Sequence, residues 1–187
     1  TQWSLVVTAR DSSSIAARQA FDGLAQRYWQ PLYAYVRRRG HSVEESEDLV
    51  QAFFLRFIEK DYLRSVSADK GRFRSFLLAC MKHFLADEYD KRIAQKRGGG
   101  VPLLAIDADL MEATLLPRVG AVQSPDAAYD RAWAIAVLDE SLTRLAAEYA
   151  KQDKAALFAA LKPRLEGDDE TPYSALAEEL GITEAAV

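Results

Sequence analysis

The sequence predicts an all-α protein made of two small helical domains joined by a linker. Three observations lead there. Apolar residues recur mostly at spacings of three and four, and few runs alternate long enough to make a strand. Ser and Thr stand at helix starts and Gly at helix stops, in the order that capping chemistry demands. A glycine-containing stretch, residues 98–123, parts one helical block at 1–97 from another at 124–187.

The first helix is expected to open near "DSSS", with Ile15, Ala16, Phe21, Leu24, Ala25, Tyr28 and Trp29 as its apolar stripe. Pro31 has no amide hydrogen and is expected to kink or restart it. "LYAYVRRRG" continues it to Gly40, a left-handed terminator, with Arg37, Arg38 and Arg39 at the negative end of the dipole. The second helix starts at "HSVEESEDLV", where Ser42 and Glu45 have capping-box spacing. Its Leu49, Val50, Phe53, Phe54, Phe57 and Ile58 form a wide stripe, fit either for burial between two helices or for docking a partner helix. "SADKG" reads as a loop, and a third helix runs from about Arg72 to Lys91 or Arg97. These three helices make one small bundle.

"KRGGG" ends that block. The linker stretch "VPLLAIDADLMEATLLPRV" is partly ordered and apolar enough to pack against something. Ser124, Pro125 and Asp126 then form a strong helix start, and that helix runs to about Tyr149. A shorter helix covers "DKAALFAALKPRL" and weakens at Pro163. Thr171 and Pro172 open "YSALAEEL", Gly181 closes it, and Thr183 caps a further helix. Helix, glycine turn and Thr cap describe a helix-turn-helix, whose second helix normally enters the DNA major groove. Only about four residues of that second helix follow Thr183, so the motif reads as truncated in its recognition helix. The same pattern also fits any helical hairpin.

Charge is distributed unevenly. The chain has net charge -4, but residues 70–97 carry eight basic and three acidic groups, while residues 98–187 carry seven and sixteen. The positive segment suits either an anion-binding face or a solvated helix surface. In "DKGRFRSFLLACMKHFLADEYDKR" bases interleave with aromatics, the pattern of single-strand binding. Lys70, Arg72, Arg74, Lys82, Lys91 and Arg92 are the phosphate candidates. Phe73 and Phe76 are core residues or, if partly exposed, stacking partners for bases. His83 is an idle surface histidine or a neighbour of phosphate.

Other classes find little support. No apolar run reaches 18 residues, and the start has no signal-peptide pattern, so a cytoplasmic protein without a membrane segment is expected. The single cysteine, Cys80, excludes an intrachain disulfide framework and a multi-cysteine metal site. His41 and His83 stand apart, with no cluster to make a metal centre. "RGGGVP" follows a basic helix and lacks the lysine ending of a phosphate-binding loop. Asp87, Glu88 and Asp90 have Lys and Arg as simpler partners than magnesium. No catalytic residue and no cofactor is expected. No extended heptad is present, which points to a monomer.

With these residues in view, the sequence resembles RNA polymerase sigma factors of the extracytoplasmic-function (ECF) type. The resemblance begins at "FDGLAQRYWQPLYAYVRRRG" and is strongest in "EESEDLVQAFFLRFIEKDYL". It continues through "KGRFRSFLLACMKHFLADEYDKRIAQKRGGG", "SPDAAYDRAWAIAVLDESLTRL" and "TPYSALAEELGITEAAV", leaving out the first dozen residues and 101–123. The resemblance implies that the "DLVQ" helix docks on the clamp helices of the large subunit of core RNA polymerase through Asp48, Leu49, Gln51, Phe54 and Arg56. It implies that Lys70, Arg72, Phe73, Arg74, Phe76, Lys82 and His83 contact the non-template strand of promoter DNA at the -10 element as the duplex opens. It further implies reading of a -35 element by the second domain; members of the family are often held inactive by an anti-sigma protein, and an autoinhibited packing of the two domains is an equal alternative. Two rival readings remain: a polymerase-independent helix-turn-helix regulator, and a helical interaction module using the Phe53, Phe54 and Phe57 face.

Overall fold

The structure is a computed structural model and describes residues 3–10, 14–67, 71–94, 108–122, 124–167 and 172–186. The described residues form eight α-helices and no strand, so the protein is all-α as its periodicity predicts. In chain order the helices are α1 (Trp3–Ala9), α2 (Ile15–Arg38), α3 (Val43–Glu59), α4 (Phe73–Ala94), α5 (Ala108–Val119), α6 (Pro125–Lys151), α7 (Ala155–Glu166) and α8 (Tyr173–Leu180). One 3-10 turn, Tyr62–Ser65, follows α3, and another, Glu184–Ala186, follows α8.

Local chemistry sets most of these limits. Ser14 caps α2 by accepting the Ala17 amide at 3.0 Å. α2 then runs without interruption through Pro31, which is buried inside it rather than restarting the helix. Beyond its end, Gly40 takes φ +93°, which a side chain would disfavour. The capping box of α3 is complete: the Ser42 Oγ accepts the Glu45 amide at 3.2 Å, and the Ser42 amide donates to Glu45 Oε2 at 3.4 Å. At α6 the Ser124 hydroxyl accepts the Ala127 amide at 3.2 Å. Lys70 and Thr171 lie outside the described residues.

The chain divides into two compact units, Thr1–Ala136 and Val137–Val187. The division falls within α6, whereas the sequence pattern places boundaries at residues 97 and 124. In the first unit, Leu24, Tyr28, Trp29, Leu32 and Tyr33 of α2 pack with Val50, Phe53, Phe54 and Phe57 of α3 and with Phe73, Leu77 and Met81 of α4. The wide aromatic stripe of α3 is thus core: Trp29 and Phe54 stack at 6.1 Å, and Phe53 meets Phe84 edge-on at 5.7 Å. α1 was not evident from pattern. Seven residues are too few for a helix to hold alone, and its Val6 and Ala9 are buried while Trp3 lies edge-on to Phe73 at 6.4 Å.

Within the linker stretch, α5 packs on α2. Leu115 and Val119 join Ala34 of α2 and Ala128 and Ala132 of α6 in a second small core. In the second unit, Leu142, Phe158, Leu176 and Ala177 are buried, and the Tyr149 and Phe158 rings lie 5.7 Å apart. α8 ends at Gly181 (φ +66°), whose amide donates to the Glu178 carbonyl while the Ile182 amide donates to the Ala177 carbonyl, a Schellman closure.

Candidate nucleic-acid and partner interfaces

α4 and Arg72 just before it carry the described cations singled out from sequence, and the helical period distributes them. Arg72, Phe76 and His83 fall on one side of the helix, Arg74 and Lys82 on another. Arg72 and His83 are exposed and Phe76 is half-buried. Phe73 is 1% exposed, with Tyr28 edge-on at 5.4 Å and Phe76 at 6.3 Å. Partial exposure is the condition for stacking on a base; Phe76 meets it and Phe73, in this conformation, does not. Lys91 is exposed and pairs with Glu88 at 2.7 Å, while the Arg92 side chain lies outside what is described.

Arg74 and Lys82 are both engaged by α6. Lys82 Nζ donates to Asp126 Oδ2 at 2.6 Å, and that hydrogen bond raises the lysine pKa. Arg74 Nη1 lies 3.4 Å from Asp130 Oδ1, its guanidinium sits 4.4 Å from the Trp133 ring centre, and its carbonyl accepts the Tyr129 hydroxyl at 2.9 Å. Burial drives the Tyr129 pKa up. A cleft of about 200 Å³ lies between these residues, lined also by Ser75, Leu78 and Ala79.

α3 presents the other candidate surface. Leu49 (5%) and Phe54 (2%) are buried in the core, so a partner meeting the outer face of α3 first touches other residues. Asp48, Ala52, Ile58 and Glu59 are exposed, with Gln51 and Leu55 half-exposed beside them. Asp48 and Gln51 were legible as candidates. Ile58 was marked as part of the apolar stripe; Ala52 and Leu55 were not marked, although their positions away from Phe53 and Phe57 on the helical period could have shown them. Arg56 turns toward α4, pairing with Asp87 and lying 3.9 Å from Glu88, with its guanidinium 5.7 Å from the Phe84 ring centre. A groove of about 390 Å³ lies at the end of α3, lined by Ala9, Ala17, Phe21, Phe57, Ile58 and Leu63 among others.

A charged latch that sequence reasoning missed holds α5 to α2. Glu112 Oε1 accepts the Tyr33 hydroxyl at 2.6 Å and Arg37 Nε at 2.5 Å, and Glu112 Oε2 accepts Arg37 Nη2 at 3.1 Å. The bidentate arginine holds the Glu112 carboxyl below its ordinary range and is itself raised; burial and the Glu112 contact push the Tyr33 pKa up. Partners 75 and 79 residues apart left no local signal.

Among the described residues, no group of three His, Cys, Asp or Glu side chains is placed to hold a metal ion, and no helix is long and apolar enough to cross a membrane. Burial pushes the Cys80 thiol up to about 11, so it is poorly nucleophilic at neutral pH. Compared with known families, residues 11–187 match a family model described as ECF sigma factor. No match was found among curated proteins or among solved structures.

Proposed function

The chain belongs to the ECF sigma factor family, and from that premise we propose how its sigma-factor role in transcription is divided between two neighbouring helices. α3 docks on the clamp helices of the large polymerase subunit through Asp48, Gln51, Ala52, Leu55 and Ile58, with Leu49 and Phe54 setting the shape of the face from beneath. α4 and the loop before it contact the non-template strand at the -10 element. Arg72 and His83 face solvent there beside Phe76, and Arg74 and Lys82 become available when their α6 partners move.

The observation that carries this reading is the make-up of the α3–α4 pair. A rigid aromatic core between the helices leaves an outer face of α3 that is apolar and acid-rimmed, and an α4 with its cations outside that core. Docking raises the local concentration of those cations at DNA. Stacking an unstacked base then returns about 1–3 kcal/mol toward an opening cost of a few kcal/mol per base. The polymerase supplies the chemistry. α8 and its glycine turn have the helix-and-turn pattern of a helix-turn-helix, directed at an upstream duplex element. The reading places the protein in the cytoplasm as a monomer and leaves an outer α3 face that an anti-sigma protein would compete for.

The test pairs two variants with two assays. Gln51→Ala/Leu55→Glu is expected to lose at least tenfold in affinity for core polymerase while keeping its helical content. Arg72→Ala/His83→Ala is expected to keep polymerase affinity and lose opening of a fluorescent -10 promoter fragment. Wild-type chain that leaves core polymerase unbound would overturn the reading.

A further inference from the structure

We propose that the first turns of α6 are an autoinhibitory cover over α4, holding Arg74 and Lys82 away from nucleic acid until α6 is displaced. The proposal rests on the reading of these two cations as strand contacts and concerns how that site is controlled.

Three features of the contact carry it. First, the cover mimics a strand in its chemistry. Asp126 and Asp130, one helical turn apart, meet Lys82 at 2.6 Å and Arg74 at 3.4 Å, where phosphates would otherwise pair. The Trp133 indole, one turn further, takes the guanidinium face at 4.4 Å, where a base would stack. Second, the contact is two-sided. Tyr129, 1% exposed, reaches across to donate to the Arg74 carbonyl at 2.9 Å, so α6 engages the backbone of α4 as well as its side chains. The Arg74 side chain keeps only 19% exposure. Third, the cover is anchored away from the cations. Ala128 and Ala132 are buried on the other face of this part of α6, against Leu115 and Val119 of α5, and Glu112 fastens α5 to Tyr33 and Arg37 of α2.

The Lys82–Asp126 pair is the part of the contact suited to release. Lys82 and Asp126 are 42% and 53% exposed, so water and salt compete for that pair, and phosphate would compete in the same way. Removing both carboxylates should weaken the cover without emptying a core.

The experiment uses the full chain with Asp126→Asn/Asp130→Asn. A control, Glu148→Gln/Glu179→Gln, makes the same change in net charge at exposed positions outside the contact. Affinity for a fluorescent single-stranded DNA oligonucleotide is measured alongside the acylation rate of Lys82, read by mass spectrometry. The expected result is roughly three- to tenfold tighter DNA binding than wild type or control, faster acylation of Lys82, and loss of the gain when Arg74→Ala/Lys82→Ala is added. Unchanged acylation of Lys82 overturns the cover itself. Faster acylation with DNA affinity no better than the control overturns the strand-binding reading of Arg74 and Lys82, and the proposal with it.

Discussion

Phe73 and Phe76 sit three residues apart on α4, yet one is closed off and the other half-open. Phe73 fills space between Tyr28 and Trp3, so Phe73→Ala should cost about 3–5 kcal/mol of stability in urea denaturation. Phe76→Ala should cost about 1–2 kcal/mol, because part of its ring already faces water. Equal losses would mean that the two rings share one environment. Glu112 gives a prediction with a sign. Its carboxyl is held below the ordinary range by Arg37, so the charged form is favoured in the fold. That stability is fully present above the unfolded value of about 4.3 and is lost as pH falls through the lower folded value. Glu112→Gln should therefore lower stability by about 1 kcal/mol at pH 7, and its gap from wild type should close in urea titrations below about pH 4. A gap that stays constant down to pH 3 would remove the charge from the explanation.

Helix starts are encoded within a few residues, and α3 shows how far that goes. Both halves of its capping box form, and the Ser46 hydroxyl adds a 2.7 Å bond to the Ser42 carbonyl. Ser42→Ala should cost about 1 kcal/mol and lower the melting temperature by roughly 2–4 °C, while Ser42→Asp should recover most of the loss; a melt unchanged by Ser42→Ala would show that the box contributes nothing. The starts of α2, α3 and α6 and the glycine stops were legible in the sequence for this reason: capping is local chemistry. What depends on distant partners was not. α1 holds because α2 and α4 cover it, and the Glu112 latch joins positions far apart in the chain. Periodicity also told that the α3 stripe is apolar without telling which side of it stays wet. Leu49 and Phe54 went to the core and Leu55 to the outer face because α2 and α4 pack where they do. The basic segment was legible as charge, but its division between Arg72 and His83 on one side and Arg74 and Lys82 under α6 required the fold.

Across the whole molecule, buried apolar bulk is concentrated in the first unit. Trp29, Tyr28, Tyr33, Phe53, Phe73 and Tyr129 are among its largest fully buried side chains, each making the large apolar contribution expected of an aromatic. The second unit rests on Leu142, Phe158, Leu176 and Ala177, and its Leu165, Tyr173 and Ile182 remain substantially exposed. Local opening costs little where few apolar contacts must break. Hydrogen exchange followed by mass spectrometry should therefore show amides of α7 and α8 losing protection at lower urea than those of α2 and α3. Leu142→Ala should accelerate exchange in α7 while leaving α2 unchanged, since its side chain lines the same small cleft as Phe158. If α7 and α2 instead lose protection together at every urea concentration, the two cores unfold as one, and the stability of the second unit is set by something other than its own buried side chains.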